Sequence, residues 1–307
     1  MNATETKATS LYPQQSLGLL LAAITAFCWS VLAIVLKFAL TFTDSATIVW
    51  ARMFVAFILL SIFLKFKKNY SLKKMFTFNK IALFAGAFLS VNYFGYMKGI
   101  ELTSASNAQV MIQMAPTLLI IIGFFYFKEK PNPIQLTGIA VAALGFYLFF
   151  QTQIHSSIEN SQSYITGNIY IFVAAITWAL FSTLQKIASK FDLLQFNFFV
   201  YLAAAFFLLP AADLSNLASI SLFQVGILLF LGANTVIAYG CLGEAFKRAP
   251  ASKVSLIIIL NPLMTIFLFY LMNKLGMDFV THESVSLHGL LGALLVICGV
   301  GMALVKK

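Results

Sequence analysis

Arg52 lies inside a run of apolar residues, where a charge costs about 2.5 to 3.5 kcal/mol at the centre of a membrane-spanning helix. It needs water or a partner there, and a guanidinium at that depth suits a carboxylate or phosphate. The structural account of the same residue is an arginine bonded to helix-end carbonyls. Pro116 and Pro262 interrupt two other apolar runs. A proline within a helix lacks a donor and clashes with the carbonyl four residues earlier, so Pro116 is expected to free the Ile112 carbonyl and Pro262 that of Ile258. Those carbonyls can meet a substrate, or a neighbouring Ser or Thr can satisfy them. Gln109 and Gln113 precede Pro116 by seven and three residues and so share its helix face. Ser255 and Asn261 are their rough counterparts beside Pro262.

Trp29, Ala33 and Lys37 recur every four residues, as do Trp178, Ser182 and Lys186, so each set forms one helical stripe. An indole in such a stripe can face a planar or cationic ligand, or simply pack. Lys37 and Lys186 fall near span ends, where snorkelling to water accounts for them. Asn92, Tyr93, Tyr96, Asn234, Thr235 and Tyr239 add donors and acceptors that either orient a polar ligand or join helices. Catalytic chemistry finds no comparable set. Cys28, Cys241 and Cys298 lie singly in apolar runs, and His155, His282 and His288 fall in or beside connecting segments. No metal site, cofactor or nucleophile–base pair can be assembled from them, so an enzyme is not expected.

The elements that must carry these residues follow from composition. Of 307 residues, 61% are hydrophobic and 10% charged, and the mean hydropathy is +0.91; soluble domains carry roughly a quarter charged residues. Too few charges exist to cover a water-soluble surface, so lipid is the solvent. Apolar runs predict spans near 17–40, 45–64, 81–100, 105–127, 133–150, 165–188, 194–211, 221–244, 252–272 and 287–305. In lipid every backbone group needs an internal partner, which makes these runs helices. The net charge of +10 does not indicate a nucleic-acid partner, because the basic residues are dispersed between spans. All of the 20 except Lys37, Arg52, Lys98 and Lys274 fall on one side when the N-terminus is placed inside. Both termini are therefore expected to be cytoplasmic.

Gly18, Trp29 and Lys37 recur as Gly167, Trp178 and Lys186 at an offset of 149. Gly86, Tyr93, Ala105, Ser106 and Pro116 recur as Gly232, Tyr239, Ala251, Ser252 and Pro262 at an offset of 146. Five helices are followed by five related ones, and an odd number makes the second set enter from the opposite face. The expected fold is thus an all-α integral membrane protein of about ten helices in two inverted five-helix repeats. A cytoplasmic tail (1–16), a first repeat (17–150), an external linker (151–164) and a second repeat (165–305) complete the division. Glycines thin the last span, so the fifth and tenth spans pack within one chain or form a dimer seam.

Several residues then carry a family resemblance: Arg52 in the second span, Ser104-Ala105-Ser106-Asn107-Ala108 opening the fourth, Pro116, Glu129 after Phe124-Phe125-Tyr126-Phe127-Lys128, and Gly138 and Gly145 in the fifth. Together with the duplication, the chain resembles the drug/metabolite transporter superfamily, in its paired five-helix, EamA-type branch, over residues 17–305. The second half departs from it, with Asn273 and Lys274 where an acidic residue like Glu129 is expected. The resemblance implies export, exchange or uptake of a small polar metabolite, such as an amino acid, a nucleotide-like compound or a drug. The expected partners are that substrate and the lipid bilayer, with the chain a monomer or homodimer. Glu244 is the candidate for proton coupling; exchange or uniport without it is the favoured reading. A channel or membrane scaffold is the alternative of a different class. The high Lys to Arg ratio and many Phe and Ile point to a bacterium, hence its cytoplasmic membrane.

Overall fold

The computed structural model describes residues 14–67, 80–126, 128, 132–156, 161–188, 192–249, 254, 257–276 and 286–304. Its helices are α1 (Gln15–Ala39), α2 (Ser45–Phe66), α3 (Lys80–Leu102), α4 (Ala105–Met111), α5 (Met114–Phe125), α6 (Pro133–Ser156), α7 (Ser161–Ile187), α8 (Leu193–Leu208), the short α9 (Leu214–Leu217), α10 (Leu222–Arg248), α11 (Asn261–Lys274) and α12 (Leu287–Leu304). No strand occurs among the described residues. Counting α4 and α5 as one interrupted span and α9 as part of a connection, these are the ten helices the apolar runs predict.

Local chemistry sets the helix starts. Asp44 caps α2 by accepting from the Ala46 and Thr47 amides, and Asp192, at an equivalent place in the second half, caps α8. Ser104 accepts from the Asn107 amide to start α4, and Ser221 with Gln224 forms a capping box at α10. Each cap satisfies a backbone donor that would otherwise be orphaned at the first turn. The polar stretch expected as a linker is shorter than its composition suggests: α6 runs on to Ser156 and α7 starts at Ser161. Helix hydrogen bonding continues past the end of the apolar run because Gln151 and Thr152 are still compatible with a helix.

Among the described residues, eight spans are long and apolar enough to cross a membrane. Neither α3 nor α11 is among them. α11 is described over only 14 residues. α3 has a different cause: Asn92, Tyr93, Tyr96 and Lys98 lower its hydropathy, and polar residues in a span are tolerated on the side that packs against other helices, here α7, α8 and α2. The lipid side is visible in Phe84, Phe125, Phe206 and Phe267, each more than 60% exposed, which water would not tolerate in such number.

Packing reveals the internal symmetry. α1 lies against α10 and α7 against α3; α2 pairs with α8, α4 with α11 and α6 with α12. Exchanging the two halves reproduces this set of pairs. The glycines agree in detail. A Cβ on Gly18 would meet Ala249 at 2.9 Å, and one on its repeat mate Gly167 would meet Thr103 at 2.6 Å. Gly86 lies against Ala203 and its mate Gly232 against Val55, at 2.6 and 2.3 Å from the added carbon to the nearest side-chain atom. α6 and α12 close on each other through Gly138, Gly145, Gly292 and Gly299, so these small faces are filled from within the chain.

Candidate functional site

α2 brings Arg52 to the boundary between the halves, where it is 4% exposed. Its Nε donates to Thr235 Oγ1 on α10 at 2.7 Å, and Thr235 spends its own proton on the Leu231 carbonyl, leaving its oxygen free to accept. Nη2 reaches the Tyr93 hydroxyl of α3 at 3.3 Å, while the guanidinium carbon lies 4.3 Å from the centre of the Tyr93 ring. Cation–π attraction of this kind strengthens when water is excluded. No carboxylate among the described residues pairs with Arg52, and its Nη1 protons donate to none of them. Arginine cannot shed its charge. The molecule therefore holds a buried cation whose protein partners here are all neutral.

Around it stand aromatic side chains from both halves. Tyr239 on α10 lies close to its repeat mate Tyr93, and Trp29 on α1 meets Tyr239 edge to face at 5.8 Å. Tyr201 on α8 is 3% exposed and lies close to Arg52 and Tyr93. The caps Asp44 and Asp192, and the contacts of Gly86 with Ala203 and of Gly232 with Val55, relate α2 to α8 at an offset of 148, so the repeat mate of Arg52 is Val200 and Tyr201 is its neighbour.

A second polar cluster adjoins Trp29 at the broken helices. α4 stops at Met111 and α5 resumes at Met114, so the break precedes Pro116, which falls in the first turn of α5. The Ile112 carbonyl expected to be freed accepts from the Ala115 amide at 2.9 Å, one residue closer than a regular helical bond. α11 likewise starts at Asn261, immediately before Pro262. Gln109 donates to the Trp29 carbonyl at 3.0 Å and lies 3.3 Å from Asn261 Nδ2, which donates to Gln109 Oε1. Ser30 donates to Asn261 Oδ1 at 2.7 Å, and Thr265 Oγ1 lies 3.4 Å from both Gln109 Nε2 and the Ser30 carbonyl. Ser30 and Thr265 are fully buried. Trp29 touches both clusters, its ring meeting Tyr239 and its carbonyl accepting from Gln109 beside the helix breaks.

Other expected site residues take different places. Asn92 donates to the Ala174 carbonyl at 2.8 Å and Asn234 to the Cys28 carbonyl at 3.0 Å, each joining two helices. Gln113 is buried, its carbonyl accepting from Thr117. Trp178, Ser182 and Tyr96 are half-buried, Trp178 and Tyr96 packing on the core. Ser255 lies outside the described residues. Glu244 pairs with Arg248 near the end of α10, and Glu101 with Lys98 and Ser45 near the end of α3. Lys37 donates to the Ile100 carbonyl at 3.4 Å. Tyr201, Ser30 and Thr265 were not singled out by sequence, because a tyrosine, serine or threonine in an apolar run does not stand out.

The described residues contain no group of His, Cys, Asp and Glu able to hold a metal ion. What the arrangement can do is hold an anionic group at Arg52, beside aromatic faces, at a boundary that two similar halves share.

Known proteins agree with this fold. A solved crystal structure at 17% identity superposes on 94% of this chain and 97% of its own with a TM-score of 0.63, which shows the shared fold. The uncharacterized inner membrane transporter YhbE of Escherichia coli K12 is 31% identical over 290 residues, 93% of this chain and 90% of the relative. An uncharacterized transporter of Haemophilus influenzae is 31% identical over 93% of this chain and 94% of its own. The EamA-like transporter family matches twice, over residues 16–151 and 165–305. By that double match and by relatives aligned along nearly its whole length, the chain belongs to the EamA-like transporter family.

Proposed function

We propose that the protein carries a small polar metabolite across a bacterial cytoplasmic membrane by alternating access, with both termini in the cytoplasm. One observation carries this reading: the buried guanidinium of Arg52 is held between the two halves, through Thr235 of the second and Tyr93 of the first, and is linked to two broken helices. Unwound segments in matching positions of two repeats are where carriers bind substrate, because backbone leaves its own ladder only where it lines a cavity. Exchange of conformations between two similar halves would turn an outward-open site into an inward-open one. The substrate's carboxylate or phosphate meets Arg52, while Tyr239, Trp29 and Gln109 orient the remainder. The pairing of Glu244 with Arg248 supports exchange or uniport over proton coupling through that carboxylate.

Counterflow tests this reading. Proteoliposomes preloaded in turn with amino acids, organic acids and nucleotide-like compounds are expected to show trans-stimulated uptake of the matching labelled compound, unaffected by a pH gradient. Uptake that responds linearly to concentration with no trans-stimulation would mean a pore.

A further inference from the structure

We propose that the ligand is an organic monoanion: one carboxylate, no ammonium, on an apolar or planar body. This rests on the carrier reading and narrows its substrate class. Charge at the centre of the molecule is the basis. Arg52 is the only formal charge among the described residues of the two clusters, and its Nη1 protons remain without an acceptor there. A guanidinium presents five donors in a planar fork that matches a carboxylate. With two used by Thr235 and Tyr93, enough remain to take the two oxygens of one carboxylate.

An amino acid would also bring an ammonium, and no carboxylate among the described residues stands in the two clusters to receive it. The described acidic residues all stand at helix ends. Asp44, Asp192 and Asp213 cap α2, α8 and α9, while Glu101 and Glu244 are paired with Lys98 and Arg248. The other five of the ten, Glu5, Glu129, Glu159, Asp278 and Glu283, lie between or outside the apolar runs and outside the described residues. The pseudo-symmetry sharpens the point. The repeat mate of Arg52 is the uncharged Val200, and its neighbour Tyr201 is buried close to the guanidinium, so the centre has one cation and an aromatic surface beside it. A ligand with one anionic end and an apolar body fits both; a zwitterion would leave its ammonium desolvated against neutral groups, a cost that a buried charge pays in full when unpaired.

Equilibrium binding to the purified full chain in lipid nanodiscs tests this with two series that vary only in charge: 3-phenylpropionate, phenylalanine and 2-phenylethylamine, and valerate, norvaline and butylamine. In wild-type protein the acid of at least one series is expected to bind, and to bind at least tenfold more tightly than its amino acid or amine. Arg52→Gln should weaken acid binding by about 10- to 100-fold, the range of a hydrogen-bonded charge. Arg52→Lys, which keeps the charge without the fork, should fall between. Tighter binding of an amino acid or amine, or no binding of either acid to folded wild-type protein, overturns the proposal, and neither outcome depends on a variant that folds. The two readings fail separately. Arg52-dependent acid binding without trans-stimulated exchange removes the carrier and leaves the anion site; exchange of amino acids untouched by Arg52→Gln removes the anion site and leaves the carrier.

Discussion

Arg52 and Tyr201 come from matching helices of the two halves and contribute different chemistry, one supplying charge and the other an aromatic face. Polar residues elsewhere in the spans have quieter uses, and the difference is testable. Asn92 bonds only the Ala174 carbonyl, so Asn92→Ala is expected to cost about 1 kcal/mol of stability, typical of an interhelical bond in a bilayer, with transport retained. Gln109 touches Trp29, Asn261 and Thr265 at the helix breaks, so Gln109→Ala should lower stability to a similar extent and also slow exchange at least tenfold. Thermal unfolding and exchange rates measured on the same preparations separate the two; equal loss of transport in both variants would remove the distinction. Much of this site was legible in sequence, because a charge, a tryptophan or a glutamine in an apolar run stands out. Ser30 was not: its hydroxyl also returns to the Ala26 carbonyl, as any helical serine's does, and only the fold shows Asn261 facing it.

At the scale of elements, sequence placed the interruptions near the prolines, and the structure moves the α4–α5 break to Ile112 and Gln113, ahead of Pro116. The reason is that a proline is accommodated in a first helical turn, where its missing donor has no partner to lose. Pro116→Ala lets the helix close over the break but also frees the unfolded chain, so it should change stability by no more than about 1 kcal/mol while slowing exchange at least tenfold. The glycines predict a graded series. A Cβ on Gly299 would lie 2.2 Å from the Ala142 backbone nitrogen, which cannot turn aside, so Gly299→Ala should destabilise by about 2 kcal/mol or more. Gly99→Ala meets the movable end of Ile171 and should cost less. Gly226 has open space around it, and Gly226→Ala should be neutral or stabilise by about 0.5 to 1 kcal/mol. Thermal unfolding of the three variants checks the order, and a reversed order would contradict the α6–α12 packing.

For the whole molecule, the duplication does two jobs: it builds a scaffold from one five-helix plan, and it lets the centre be asymmetric at little cost to packing. Ten spans were readable because lipid forces helices and leaves the apolar runs nearly free of charge, with Arg52 the exception deep in a span. The pairing of spans was not readable, since contact between α1 and α10 depends on small residues such as Gly18 that look alike wherever they occur. Orientation rests on the basic residues flanking the spans, and a C-terminal fluorescent reporter should fold and fluoresce while an alkaline phosphatase fused at the same point stays inactive. The reverse pattern would place both termini outside.

The most direct test compares trans-stimulated exchange of an organic acid in proteoliposomes containing wild-type protein and Arg52→Gln, at equal insertion and with the same thermal transition. Rapid exchange by the wild type, reduced at least tenfold in the variant, is the result expected of a carrier whose substrate seats on a buried guanidinium between its halves. Equal exchange by both proteins would contradict it.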